Sequence, residues 1–253
     1  MQRRMNEIDI VRDISRKLNG AGFPFMLTGS MAMNYYAVPR MTRDIDVVIA
    51  ITANDVRRIA GLFEADYYIS EQSVKESVAR QSMFNLIHLD SVIKVDCIVR
   101  KSSEYRRLEF DRRQKIQILD FATWIVSKED LIISKLFWAK DSHSELQLRD
   151  VKNLLATGFD AFISSAGRTS WNWIFYYGSV CMTDTLPEIE RLLREKMMAR
   201  TAEERFIMGA KMFDAAVTMV DASLPPNLPE AERKWRRLER IYGTQLLPRE
   251  MIR

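Results

Sequence analysis

The chain has 253 residues, of which 47% are hydrophobic, so one large or two modest domains with proper cores fit. Its 38 basic and 34 acidic residues leave a formal charge of +4, which permits a nucleic-acid partner without demanding one. The cysteines, Cys97 and Cys181, exclude a disulfide framework and indicate a reducing compartment. The longest uncharged aromatic run, 171–182, is too short to span a bilayer, so a cytoplasmic protein without membrane segments is expected.

Apolar residues recur at helical spacing over 8–18 and predict a first helix. The apolar run 25–28 then predicts a strand that Gly29 and Ser30 turn into a helix over 31–37. Ser30 is expected to be the N-cap of this helix, and Gly29 to let backbone amides approach a ligand. Because a helix start attracts anions, a triphosphate is expected to lie across these two residues.

Residues 44–51 have the β-branched content and apolar density of a strand buried on both faces over most of its length, yet two aspartates begin it. Strand side chains alternate, so Asp44 and Asp46 share a face with their Cα atoms about 6–7 Å apart. Carboxylates held in this way suit Mg²⁺, which binds one or two of them together with waters and substrate phosphates. The alternative interpretation is a surface strand that carries two acids after a turn.

Gly29-Ser30, thirteen intervening residues and then Asp44-Ile45-Asp46 resemble the signature of the nucleotidyltransferase superfamily, which has the DNA polymerase β-like fold. The chain most resembles the compact bacterial branch that includes minimal nucleotidyltransferases and AbiE-type toxin enzymes. The resemblance implies that Gly29 and Ser30 hold a nucleoside triphosphate and that Asp44 and Asp46 bind the divalent metal. Arg43, beside Asp44, joins the nucleotide-binding candidates.

Asn54 is expected to cap a helix with a buried stripe of Val56, Ile59, Leu62 and Phe63, and a weaker helix over 70–79 follows. Two apolar runs, 84–89 and 92–99, then predict a β-hairpin. The second run places Lys94 and Asp96 on one face and only apolar residues on the other. The resemblance implies that Asp96 is a third metal ligand and helps to deprotonate the attacking hydroxyl. The alternative is a Lys94–Asp96 pair on the solvated face of an edge strand.

Runs 115–119 and 122–126 predict two further strands, and Ser127 is expected to cap the helix that follows. That helix is apolar around most of its circumference but contains Lys135. The resemblance implies that Lys135 contacts the triphosphate and that Asp150, on the next helix, supports the site. The alternatives are a snorkelling lysine and an Asp150–Arg149 surface pair.

After residue 158 an aromatic-rich stretch, 170–182, precedes predicted helices over 186–200, 201–222 and 230–242. The aromatic residues are expected to seal helices together. The last helix carries a basic stripe that suits either nucleic-acid phosphates or a solvated face. The stripe consists of Arg233, Lys234, Arg236, Arg237 and Arg240. Neither histidine, His88 or His143, has paired metal-ligand spacing, and His88 is expected to be structural.

The predicted fold is therefore α/β (α+β), with a small mixed sheet and flanking helices in a catalytic domain over 1–157 and an α-helical C-terminal module over 158–253. The expected activity is Mg²⁺-dependent (or Mn²⁺-dependent) transfer of a nucleoside monophosphate from an NTP such as ATP to a hydroxyl. The acceptor is left open between an RNA end such as tRNA, a protein and a small molecule, in a toxin–antitoxin or phage-defence context. The alternative is a catalytically silent protein of this fold that binds a partner.

Overall fold

The computed structural model describes residues 5–142, 144–158 and 187–243. The structure does not describe His143 or residues 159–186, which follow the predicted domain boundary and include Cys181 and the aromatic stretch 170–182. The predicted fold class is confirmed: a seven-stranded mixed sheet carries flanking helices, and the C-terminal part is helical. In the described ranges no helix has both the length and the hydropathy to cross a bilayer.

Seven strands form one open sheet in the order β3-β4-β5-β2-β1-β7-β6. β2 runs parallel to β5 and β1 runs parallel to β7, while the other neighbours are antiparallel. The strands are β1 (Phe25–Leu27), β2 (Asp44–Ile49), β3 (Tyr67–Tyr68), β4 (Met83–His88), β5 (Lys94–Val99), β6 (Gln114–Ile118) and β7 (Phe121–Ile125).

Helices such as Glu7–Gly20 and Val56–Phe63 follow from amphipathic stripes, and capping boxes at Asn6 and Thr201 satisfy the first free backbone amides of their helices. The N-terminal and sheet-flanking helices are α1 (Glu7–Gly20), α2 (Gly29–Tyr36), α3 (Val56–Phe63), α4 (Glu71–Arg80), α5 (Glu104–Asp111), α6 (Lys128–Ser142) and α7 (Glu145–Leu155). The C-terminal helices are α8 (Pro187–Met198), α9 (Ala202–Ala222) and α10 (Glu230–Tyr242).

The longest helix, α9, packs on α2 and shares its hydrophobic core with the sheet. Phe206 and Phe213 of α9 are buried in the same cluster as Met31 of α2 and Phe25 of β1. Gly209 is the point of close approach, because a Cβ there would collide with the side chain of Asn34. Helix α9 is thus fitted directly onto α2, which begins at Gly29.

Three local predictions were wrong. Thr28 is the N-cap of α2, which begins at Gly29, so Ser30 lies inside the helix and is not the cap. Asp55, and not Asn54, is the N-cap of α3. The strand β2 is not buried on both faces, because its aspartate face is only half-buried. Two elements were missed, the two-residue β3 and the polar helix α5, since neither has an apolar period long enough to detect.

The close contact between α9 and α2 predicts that Gly209→Ala destabilises the protein. The added methyl group must displace Asn34, and overpacking of this kind costs about 1–3 kcal/mol, more than the gain in helix propensity of up to about 1 kcal/mol. Gly61→Ala in α3 is the matched control, because a Cβ there meets nothing within 4 Å and should be neutral or stabilising. Urea denaturation of the two variants measures the difference, and equal free energies of unfolding would contradict the tight contact.

Candidate active site

Two aspartates of β2 and one of β5 lie together on one face of the sheet. The parallel register places Asp44 beside Lys94 and Asp46 beside Asp96. Residues two apart on a strand share a face, so the four side chains form a two-by-two block. β5 lies between β4 and β2 and is not an edge strand. We call Asp44, Asp46 and Asp96 the carboxylate cluster.

An ammonium group lies inside this cluster. Lys94 Nζ is 3.0 Å from Oδ2 of Asp96 and 3.3 Å from Oδ1 of Asp44, and the lysine side chain is only 11% exposed. Oδ1 of Asp96 accepts a hydrogen bond from the side-chain amide of Asn85 on β4. Both oxygens of Asp96 are therefore engaged, whereas no hydrogen-bond donor of the described residues reaches the Asp46 carboxylate.

Burial and mutual repulsion raise the pKa values of two of the acids. Burial acts most strongly on Asp46, and the charges of Asp96 and Asp44 add to it, so that the pKa of Asp46 rises to about 7. Burial also raises the pKa of Asp44, although Lys94 opposes the shift. Burial lowers the pKa of Lys94, but Asp96 and Asp44 outweigh it and the pKa ends above its ordinary value. The ammonium thus stays charged beside carboxylates that resist ionisation.

Gly29 lies directly against the carboxylate cluster. Its φ of 62° falls in the left-handed region that favours glycine, and a Cβ at this position would collide with the Asp46 carboxylate. The Thr28 amide donates to the Asp46 carbonyl at 3.0 Å and fixes the end of β1 against β2. A glycine is therefore required where α2 begins beside Asp46.

A second charged group, the cation cluster, consists of Arg40 and Lys135 held by Asp150. Arg40 donates to both carboxylate oxygens of Asp150, at 2.8 and 2.7 Å, and to Oγ of Ser30 at 2.7 Å. Lys135 Nζ is 2.7 Å from Oδ2 of Asp150. Burial lowers the pKa of Lys135, while the charges of Asp150 and Asp46 oppose the shift. Ser30, which Arg40 binds, follows Gly29, and Gly29 lies against the Asp46 carboxylate, so the cation cluster is next to the carboxylate cluster.

Several alternatives left open by the sequence are wrong. Lys94 and Asp96 are each only 8% exposed and lie on an interior strand, so they are not a solvated edge pair. Asp150 is fully buried and is not a surface partner of Arg149. Lys135 is 3% exposed and ion-paired, so it does not snorkel to water.

The end of α10 lies against the same edge of the site. The Tyr242 hydroxyl accepts from the Lys94 backbone amide at 3.1 Å and donates to the Arg43 carbonyl at 3.0 Å. The exposed Arg43 side chain in turn donates to the Ile241 carbonyl at 3.3 Å, and its charge acts on Asp44. Arg43 therefore lies at the carboxylate cluster and not in the cation cluster.

Sequence reasoning missed three polar residues of the site: Arg40, Asn85 and Tyr242. Arg40 follows Pro39 in a loop, where a lone arginine has no periodicity that marks it. Asn85 is the clearest missed signal, because a polar residue inside the apolar run 84–89 must find a partner when buried. Tyr242 is separated from the sheet by more than a hundred residues and reaches it only through tertiary packing.

The residues fit a single hard cation better than a closed metal centre. Among the described residues, no three His, Cys, Asp or Glu side chains are arranged as a metal-binding group. Lys94 contacts Asp44 at Oδ1, and no described residue donates a hydrogen bond to the other oxygen, Oδ2. The Asp46 carboxylate likewise has no donor among the described residues. Two open carboxylates on one strand match the way Mg²⁺ is bound.

The buried histidine of the hairpin has a structural role, as the sequence predicts. His88 Nδ1 accepts the Ser91 amide at 3.1 Å, and its ring packs edge-on against Tyr67. Burial lowers the pKa of His88. It takes no part in either cluster.

No family model matches this chain, and no curated protein matches it. Similar solved structures include a lincomycin-bound lincosamide antibiotic adenylyltransferase, LnuA, with 16% identity and a TM-score of 0.42 over 62% of this chain and 100% of that one. An antigenic nucleotidyltransferase-like protein from Paracoccidioides brasiliensis has 15% identity and a TM-score of 0.48 over 79% and 96%. The antibiotic-resistance factor ANT(2'')-Ia has 10% identity and a TM-score of 0.42 over 60% and 83%. Sequence identities of 10–16% and TM-scores below 0.5 are too low to assign this chain to a family.

The raised pKa of Asp46 predicts a pH-dependent stability in metal-free buffer containing EDTA. Asp46 stays protonated up to about pH 7 in the folded state but only up to about pH 3.8 in the unfolded state. The free energy of unfolding therefore falls as the pH rises between these two values and is constant above them. Asp46→Asn should remove this loss and raise the unfolding free energy at pH 8 by up to about 4 kcal/mol. Denaturant titrations at pH 5 and pH 8 measure the effect. The prediction is contradicted if the unfolding free energy that Asp46→Asn gains over wild type is no larger at pH 8 than at pH 5.

Proposed function

We propose that the chain is a nucleotidyltransferase that moves a nucleoside monophosphate from a nucleoside triphosphate to a hydroxyl acceptor. The observation that carries the proposal is the carboxylate cluster on β2 and β5, packed directly beneath the glycine that begins α2. Like charges gathered in a half-buried place destabilise a fold unless a ligand uses them. An NTP with a divalent ion is the ligand that fits acids beside cations.

The triphosphate is proposed to lie between the start of α2 and the cation cluster. Gly29 and Ser30 open a helix whose first amides lack partners within the helix, and anions favour such a position. Lys135 and Arg40 together carry two positive charges against the single charge of Asp150. The surplus cation and the helix start would bind the β- and γ-phosphates, and Arg43 would contact the nucleotide from the side of Asp44.

Transfer needs the acceptor oxygen, the α-phosphorus and the leaving pyrophosphate in line, so most of the catalysis is positioning and charge neutralisation. A bound Mg²⁺ or Mn²⁺ would neutralise the phosphate oxygens and lower the pKa of a coordinated hydroxyl. Asp44 and Asp46 would hold the ion, with Asp96 completing the acid set.

The acceptor class is open between an RNA end, a protein side chain and a small molecule. Three of the five basic residues of the α10 stripe are ion-paired. Lys234 is 3.2 Å from Asp90, Arg236 is 2.9 Å from Glu232 and Arg237 is 2.5 Å from Asp221. Arg237 is buried against α9, so the stripe is neither a wholly solvated face nor a continuous surface for RNA phosphates.

A catalytically silent binding protein is the second candidate, and the observation that favours it is Lys94. An ammonium that already contacts Asp44 and Asp96 offsets part of the charge that a metal would otherwise neutralise. Three finer predictions belong to the proposed nucleotidyltransferase and not to the silent protein. They are membership of the AbiE-type branch, a toxin–antitoxin or phage-defence role, and division into a catalytic domain over 1–157 and a helical module over 158–253.

Loss of either aspartate of β2 is expected to abolish transfer. Asp44→Asn and Asp46→Asn each remove one charge that holds the ion, and loss of such a preorganised group costs about 100-fold or more in rate. Incubation with each α-labelled NTP and total cell extract measures label transfer to RNA, protein or small-molecule fractions. Asp111→Asn, an exposed acid of α5, is the control and should transfer at the wild-type rate. Wild-type protein that labels no fraction with any NTP would favour the silent binding protein.

Removal of the Lys135 charge is expected to weaken NTP binding without unfolding the protein. Arg40 still holds Asp150 in Lys135→Met, so the buried acid keeps a partner. The lost phosphate contact should weaken binding about tenfold or more, equivalent to about 1.4 kcal/mol. Calorimetric titration with ATP, GTP, CTP and UTP in turn gives the dissociation constants. Lys140→Met, at an exposed position of the same helix, should leave them unchanged, and equal affinities for both variants would exclude Lys135 from the site.

A further inference from the structure

We propose that the Lys94 ammonium is a built-in cation of the carboxylate cluster, which takes the place of one of two catalytic ions, so that the chain binds a single divalent ion. The proposal rests on the proposed function, because it concerns the ion requirement of the same site. In this proposal Lys94 is the cation that Asp44 and Asp96 share, and the divalent ion binds to Asp44 and Asp46.

The position of Lys94 is that of a bridging ion. A two-ion site needs carboxylates from different strands that both ions contact. Lys94 Nζ makes such a contact, at 3.0 Å to Asp96 of β5 and at 3.3 Å to Asp44 of β2. An Mg²⁺ ion bound to these oxygens at about 2.1 Å would overlap the ammonium and repel it. One cation at a time therefore fits between Asp44 and Asp96.

The lysine is held in this position from several sides. Asn85 donates to the other oxygen of Asp96 and so orients that carboxylate toward Lys94. The Tyr242 hydroxyl binds the lysine backbone amide, and the Tyr242 ring centroid lies 5.8 Å from Nζ. The side chain is 11% exposed, so solvent does not compete freely for the ammonium. These contacts make Lys94 a fixed part of the cluster.

One place for a divalent ion remains. No described residue donates a hydrogen bond to Asp46, and Lys94 contacts Asp44 at Oδ1, so that the other oxygen of Asp44, Oδ2, has no donor. Two carboxylates of one strand, waters and phosphate oxygens form the usual surroundings of a single Mg²⁺. Asp96 then acts as a positioning residue that holds Lys94.

Mn²⁺ titration of the nucleotide-free protein tests the proposal. Electron paramagnetic resonance of free Mn²⁺ and calorimetry give the stoichiometry and affinity. The wild type should bind one ion per chain, and Lys94→Met should bind one additional ion or bind the first at least tenfold more tightly. Lys115→Met, an exposed lysine of the edge strand β6, is the matched control and should equal the wild type.

Two results would overturn the proposal: two ions bound by the wild type, or the same stoichiometry and affinity in wild type and Lys94→Met. If Lys94→Met does not fold in metal-free buffer, Lys94→Gln is titrated by the same criteria, since it keeps a donor for Asp96. Recovery of folding in Mn²⁺ supports the proposal, because a divalent ion replaces the lost charge. Failure of both variants to fold in Mn²⁺ refutes it. The titration contains no nucleotide, so a protein that binds ions as expected but transfers nothing contradicts only the proposed function.

Discussion

The cost of holding three carboxylates together on two neighbouring strands is the constraint to which the surrounding structure responds. A buried carboxylate without a partner is strongly unfavourable, and a second like charge beside it adds to the cost. Each neighbour relieves part of this cost in a different way. Lys94 supplies charge, Asn85 supplies a hydrogen bond to Asp96, and Gly29 leaves the space that the Asp46 carboxylate fills.

The C-terminal helices are coupled to the same site through one short chain of contacts. Gly209 of α9 packs against Asn34, whose side-chain amide and carbonyl pair with the backbone of Arg40 at 3.0 and 2.9 Å. Arg40 in turn binds Ser30 and Asp150. The loop before β2 therefore has its position set by α9, so the helical part of the chain shapes the cation cluster from a distance.

The sequence predicted the parts of the site that local patterns encode. The spacing of Gly29 to Asp46 and the alternation of β5 were sufficient to select the three aspartates, because strand periodicity depends only on neighbouring residues. Partnership across the fold was not predictable in this way. Lys94 and Asp96 have the same pattern on an edge strand as on an interior one, and only the strand order makes the pair buried. Arg40 lies in a loop, where no period exists to mark it.

The two clusters have opposite charge imbalances. In the carboxylate cluster three acids face one ammonium, and in the cation cluster two cations face one acid. The proposed triphosphate would be attracted to the second cluster and repelled by the first, so its binding would need a cation between them. Asp46 is the acid for that place, since it lies against Gly29 while Ser30, the next residue, binds Arg40. Lys94 therefore offsets part of the negative charge of the free protein, and the proposed ion would meet the charge that remains at Asp44 and Asp46.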